Sequence, residues 1–333
     1  MRFVASAPCK AILFGEHYVV YGSPALALAI EPRNIIEFSS WDGDGIALKS
    51  SLGNGVIAPS GEYDGPSELG IFSDVAAAVF GKAPLPSCAV EFQLGWKLKG
   101  VGTSASLCAA FAAGLFKLAG RKAMPDEIFA AAQAGDLVAH GGRASGIDAK
   151  TVSYGCPLVF RRSFSPPAFN SSPSGFSLPT SCSLLLIDTN RGKKDGTGKM
   201  LEIFARQFGI TGTPAEAKEE QRQKIRGEYA PLWKKIEKSL AGASAKELGA
   251  LMSENHALLK GRGMSSPGIE KAVSSAIAAG AYGAKLTGGG GEGGAVLALA
   301  DKKDEKQIAA KVASSTSFEC RTLSLAKKGA AID

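Results

Sequence analysis

The segment that most constrains this chain is its start. In the stretch that begins at Ala5, a buried-strand pattern ending at Phe14 leads directly into Gly15-Glu16-His17-Tyr18-Val19-Val20-Tyr21-Gly22. A strand of that character must be buried in a layered core. It nevertheless carries Lys10, and the loop after it carries Glu16 and His17, so three chemically useful side chains fall within eight positions. A charged cluster at the end of a buried strand reads as a site.

Length and composition leave room for a sizeable enzyme. The chain has 333 residues, 45% of them hydrophobic and 21% charged, a globular balance that permits two domains and argues against disorder. Lys plus Arg exceed Asp plus Glu by 38 to 31, a formal charge of +7, which favours anionic partners such as nucleotides. No aromatic-interleaved basic stripe or zinc-finger spacing points to nucleic acid. The cysteines Cys9, Cys88, Cys108, Cys156, Cys182 and Cys320 are scattered without a CxxC pair, a usage expected of a reducing cytoplasm. The N-terminus lacks a signal-peptide pattern, and apolar runs stop short of the roughly 20 residues that span a bilayer. No membrane association is expected.

The pattern of elements is α+β. Strand-like runs at 3–5, 11–14, 25–30 and 35–39 precede two alanine-rich helical patterns at 104–118 and 125–140. A stretch dense in Ser and Pro, 161–181, reads as a linker between a first domain at 1–165 and a second at 180–333. Beyond it, 184–187 reads as a buried strand and 214–240, 245–260 and 267–279 as helices. Strands at 283–286 and 294–300 and a helix at 304–314 follow. Such alternation predicts layers of sheet and helix.

Three glycine-rich loops carry chemistry. Gly100-Val101-Gly102-Thr103-Ser104-Ala105-Ser106 opens the first alanine-rich helix, where backbone N–H groups and the positive helix end suit a phosphate. The same letters fit the dinucleotide pattern GxGxxG/A, although Asp126, the acidic residue about 20 positions on, looks like a helix start. A ligand-free helix cap is a third reading. Gly288 to Gly294, interrupted only by Glu292, costs much entropy to order, so a ligand or a close backbone explains it better than an idle turn. In Gly141-Gly142-Arg143-Ala144-Ser145-Gly146-Ile147-Asp148 the aspartate can either take a proton from a hydroxyl or stabilise the turn.

Together, Pro8-x-Lys10 with Ile12 to Gly22, the GxGxSxS of 100–106, Ser145-Gly146-x-Asp148 and Lys285-Leu286-Thr287-Gly288 resemble the GHMP kinases, over residues 8–294. Within that superfamily the stretch Glu16 to Ala25 is most similar to the branch that phosphorylates mevalonate. Relatives acting on galactose would continue with an Asp-Tyr-Asn stretch, and those acting on phosphomevalonate would carry Glu-Tyr. The resemblance implies a ribosomal S5 domain 2-like first domain and a ferredoxin-like second one, with ATP, Mg²⁺ and mevalonate in the cleft between them. A homodimer is compatible with it.

By the same resemblance Gly100, Val101, Gly102, Thr103, Ser104, Ala105 and Ser106 hold ATP, and Ser104 and Asp136 hold the metal. Asp148 is the base and Lys10 the neutralising cation. Lys10, Glu16, His17, Asp148, Thr197, Gly289 and Gly290 contact the acceptor. The alternatives are another GHMP kinase of phosphomevalonate, homoserine or galactose type, or a dinucleotide-binding oxidoreductase. Several positions depart from the pattern: Cys9 stands for glycine, Lys97 and Lys99 precede the central loop where proline is usual, and Asp136 stands for glutamate. The turn before Asp148 is one residue longer, Ala149-Lys150 follows it, and Glu292 breaks the late glycine run. His256, on a helix, reads as structural, and His140, at a helix end, is open between a structural and a catalytic role.

Overall fold

The computed structural model describes residues 1–96, 100–189 and 196–333. Among these residues two sheets form. The first contains β1 (Arg2–Phe14), β2 (Ala25–Ser39), β3 (Ile46–Ser50), β4 (Gly53–Ile57), β5 (Tyr63–Asp64) and β6 (Cys88–Gln93). The hairpin of β7 (Leu158–Phe164) and β8 (Pro167–Pro173) extends it from the near end of β2. The second sheet is built from β9 (Cys182–Asp188), β10 (Gly283–Thr287), β11 (Ala295–Asp301) and β12 (Glu319–Leu323), all antiparallel, in the order β10-β11-β9-β12. Finally β13 (Ala331–Ile332) returns to pair with β1, so the last residues of the chain belong to the first sheet.

Helices cover both sheets. On the first lie α1 (Ile71–Phe80), α2 (Thr103–Leu118), α3 (Pro125–Ala139) and α4 (Ile147–Tyr154). Helix α2 is apolar nearly all round because sheet covers one side and α1, α3 and α4 the other, the expected consequence of burial on every face. The second layer contains α5 (Thr197–Arg206), α6 (Glu219–Ser239), α7 (Ala245–Gly261), α8 (Pro267–Ala278) and α9 (Glu305–Thr316). Ser244 and Glu247 form a reciprocal cap for α7, and Ser266 followed by Pro267 starts α8.

β1 connects two cores. Ala5 and Ala7 pack beneath α2, whereas Cys9 and Ala11 to Phe14 join a second core shared with the C-terminal layer. The two expected short strands are therefore one strand. Its register against β2 shifts between Pro8 and Cys9, an irregularity that accommodates a proline inside a strand. Cys9 takes ordinary extended backbone there, and no glycine is needed. Its buried thiol is pushed up to about 12, chiefly by burial.

The stretch read as a linker is largely a hairpin: β7 and β8 use its first part, and the chain crosses between layers over 174–181. The helix expected from 214 begins at Glu219, because Glu216 accepts from the Thr213 N–H at 2.7 Å and its hydroxyl at 3.0 Å to hold a turn. Among the described residues no helix is long and apolar enough to cross a membrane.

Candidate active site

A cleft of about 690 Å³ lies between the layers and is lined from both. Lys10 is at its floor. The Lys10 N–H donates to the Val101 carbonyl at 2.8 Å, tying β1 to the phosphate-type loop. Its side chain runs beneath Gly102, where an added Cβ would lie 2.7 Å from the lysine Cγ at a φ of +71°. Only glycine suits that position. The ammonium ends 3.1 Å from the Asp148 carboxylate.

Gly100, Gly102, Thr103 and Ser104 line the cleft at the start of α2. Three residues expected with them do not. Val101 and Ala105 are fully buried, and the Ser106 hydroxyl donates to the Ala7 carbonyl at 2.9 Å. Helical periodicity turns these side chains toward the sheet, so only the backbone at 101 remains near the cleft. Lys97 and Lys99 lie outside the described residues.

The turn between α3 and α4 brings Asp136, His140, Arg143 and Asp148 to the cleft wall. Asp136 is 2% exposed, and its Oδ1 has no hydrogen-bond partner. His140 Nδ1 lies 3.3 Å from that oxygen and donates to the Asp136 carbonyl at 2.9 Å. Burial lowers the His140 pKa, but the carboxylate outweighs it and holds the ring at about 9. Of the two roles the sequence leaves open for His140, the structure favours a cation at the cleft wall. Asp148, in the first turn of α4, is half-buried and can meet a substrate while facing the Lys10 ammonium.

Glu16 and His17 diverge. Glu16, expected to contact the acceptor, is fully buried and does not line the cleft. It pairs with Lys285 of β10, itself fully buried, and accepts from the Asn255 amide at 3.3 Å. Lys285 also donates to the Leu286 carbonyl at 2.6 Å and the Ile12 carbonyl at 3.5 Å. Three oxygen acceptors match the three donors of an ammonium. Burial pushes Glu16 up and Lys285 down, each opposed by the charge of the other. The pair joins the two layers, with Thr287 Oγ1 donating to the Ile12 carbonyl at 2.9 Å beside it.

His17 does reach the cleft, with a left-handed φ of 62°. Its Nε2 lies 3.0 Å from the Gly289 carbonyl, which can only accept, so Nε2 carries the proton. Nδ1 remains a buried acceptor without a partner, and burial lowers the ring to about 4. Gly289 and Gly290 line the cleft; a Cβ at Gly290 would lie 2.2 Å from the Met264 carbonyl. Thr197, at the start of α5, faces Gly289: a Cβ there would be 3.0 Å from its hydroxyl oxygen. Glu292 is exposed and lies outside the cleft lining.

Lys150 turns away from the cleft to pair with Asp126 over the Phe129 ring, while His256 is structural, accepting from the Leu286 N–H at 3.3 Å. Sequence reasoning assigned no role to Leu94, Trp96, Leu201 or Arg143, all of which line the cleft. The position of Leu94 and Trp96 just before the phosphate-type loop was the available signal.

Residues 236–316 match the family described as GHMP kinases C terminal. A mevalonate kinase of Thermococcus sibiricus is 29% identical over 335 residues, covering 94% of each chain. That of Aeropyrum pernix is also 29% identical, over 99% of this chain and 98% of its own. Residues 236–316 are thus similar to a GHMP kinase C-terminal domain, and the chain is similar to these kinases over nearly its whole length. The fold of the chain is that of L. major mevalonate kinase in complex with R-mevalonate, with TM-score 0.72 and 21% identity over 99% and 97% of the two chains. Lactococcus lactis galactokinase shares it with TM-score 0.76 at 15% identity over 99% and 94%.

Proposed function

We propose that this chain transfers the γ-phosphoryl group of ATP to the C5 hydroxyl of mevalonate, giving 5-phosphomevalonate. The observation that carries the reading is the Lys10–Asp148 pair, 3.1 Å apart at the cleft floor and beside the N-terminal end of α2. Phosphoryl transfer asks mainly for alignment and charge neutralisation. Asp148 takes the proton from the acceptor hydroxyl, and Lys10 offsets the charge developing on the oxygens. Gly100 to Ser104 offer backbone N–H groups and the helix dipole to the phosphates.

The donor set fits Mg²⁺. Ser104 Oγ and the unbonded, buried Oδ1 of Asp136 are hard oxygen ligands on one cleft, and Mg²⁺ uses one or two carboxylates plus substrate phosphates. When bound, the ion would neutralise phosphate charge. The same reading places the enzyme in a reducing cytoplasm, in keeping with six unpaired cysteines, and a homodimer belongs to it as well.

The test is purified protein with ATP, Mg²⁺ and mevalonate, with the product identified by mass spectrometry. Wild type should form 5-phosphomevalonate with equimolar ADP. Asp148→Asn should lose turnover about 10²–10⁴-fold while still binding ATP. An unchanged rate in that variant would remove Asp148 from the mechanism.

A further inference from the structure

The charged cations that line the cleft are not equivalent. Lys10 faces Asp148 at 3.1 Å and His140 faces Asp136 at 3.3 Å. Arg143 faces no carboxylate at ion-pair distance among the described residues, and its Nη1 is buried without a hydrogen-bond partner. Arg143 is half-buried, but a guanidinium nitrogen removed from water without a partner is costly and calls for an explanation. Neither the proposed phosphoryl chemistry nor the fold supplies one.

The turn that bears Arg143 is held from both sides. Its N–H donates to the His140 carbonyl at 3.2 Å, and Arg162 Nη1 donates to the Ala144 carbonyl at 3.2 Å. Arg162 is itself fixed over the Phe164 ring at 4.8 Å, with Arg222 on the same ring at 4.4 Å. The guanidinium is therefore presented by a braced turn. Around it are Tyr21, whose phenol feels the charges of both Arg143 and Arg162, and Glu216, whose carboxylate is occupied by Thr213. Thr213 also packs 3.8 Å from the Cβ position of Gly142. The phosphate-type loop instead meets Lys10, Thr287 and Ala295. Arg143 shares its turn with Asp148 and lines the same cleft, so an anion held there is assigned to the acceptor beside that carboxylate.

We propose that Arg143 receives the carboxylate of the acceptor, so that the enzyme selects a short hydroxy acid over a neutral polyol. This rests on the reading of the acceptor as mevalonate. A planar guanidinium matches a carboxylate in two parallel hydrogen bonds. A neutral acceptor of the same shape leaves Arg143 unpaired and is disfavoured for that reason.

The experiment compares mevalonate with 3-methylpentane-1,3,5-triol, in which the carboxylate is replaced by a hydroxymethyl group, in wild type, Arg143→Gln and Arg143→Lys. In Arg143→Gln the ratio of kcat/KM for acid over triol should fall about ten- to hundredfold, through KM for the acid, with the KM for ATP preserved. Arg143→Lys keeps the charge without the fork and should fall less. Unaltered melting temperatures would establish that the variants fold, and should Arg143→Gln fail to fold, Arg143→Lys decides. An acid-to-triol ratio that stays at the wild-type value, whether both substrates lose equally or neither changes, would overturn the assignment. A wild type active on mevalonate with such a ratio overturns Arg143 alone, whereas a wild type inactive on mevalonate overturns the functional reading with it.

Discussion

Replacing Lys285 by Met tests the join between the two layers. The ammonium it removes is fully buried and satisfies Glu16, the Leu286 carbonyl and the Ile12 carbonyl. What remains is an equally buried Glu16 with the Asn255 amide at 3.3 Å as its side-chain donor. Breaking one partner of a buried pair costs about 3–5 kcal/mol, because the survivor is an uncompensated charge. At about 2–4 °C per kcal/mol for a chain above 150 residues, the melting temperature should fall by roughly 6–20 °C. Urea unfolding followed by tryptophan fluorescence would give the free energy. The double variant Glu16→Leu/Lys285→Met removes both charges and should recover most of the loss, since apolar replacement of a whole buried pair is often neutral. A single variant within about 0.5 kcal/mol of wild type, or a double variant no more stable than the single, would refute the claim that this pair is the electrostatic join.

Three further outcomes follow from the site. The His17 ring titrates near 4 in the folded protein against an ordinary 6.5, so the unfolded chain binds the extra proton between those values. Stability should therefore be lost as pH falls from about 6.5 toward 4, by about 3 kcal/mol from this residue at 1.36 kcal/mol per unit. His17→Asn should lack that component of the pH dependence, and an identical slope would refute the assignment. Gly102→Ala places a methyl group 2.7 Å from the Lys10 stem at positive φ; kcat should fall on the order of 10²-fold with the fold intact, and an unaltered kcat would show that Lys10 tolerates displacement. In Asp136→Asn the Mg²⁺ concentration for half-maximal activity should rise at least about tenfold, and an unchanged titration would remove Asp136 from the metal site.

Much of this arrangement was legible because it depends on local chemistry. Glycines at a helix start, an aspartate after Ser-Gly and a lysine in a buried strand each carry their meaning within a few residues. Glu16 was not legible. Its loop is polar in sequence, and only the packing of β10 of the second sheet against β1 of the first brings Lys285 to it, 269 positions away. The tertiary partner converts an expected acceptor ligand into a buried structural charge. Arg143 was hidden for the opposite reason, since a lone arginine in a glycine turn reads as solvated until the fold closes around it. α4 was missed because Gly146 interrupts any capping signal, and β13 because two residues hold no pattern. The Ser- and Pro-rich segment misled because β7 and β8 form a hairpin at the sheet margin, where proline costs little.

The most direct measurement is a competition. Mevalonate, phosphomevalonate, homoserine and galactose are supplied together with ATP and Mg²⁺ to the wild-type enzyme, and every phosphorylated product is quantified by mass spectrometry. The Lys10–Asp148 centre with Arg143 and neutral His17 around it should yield 5-phosphomevalonate almost alone. Preferential phosphorylation of any of the other three would contradict the assignment of mevalonate as acceptor.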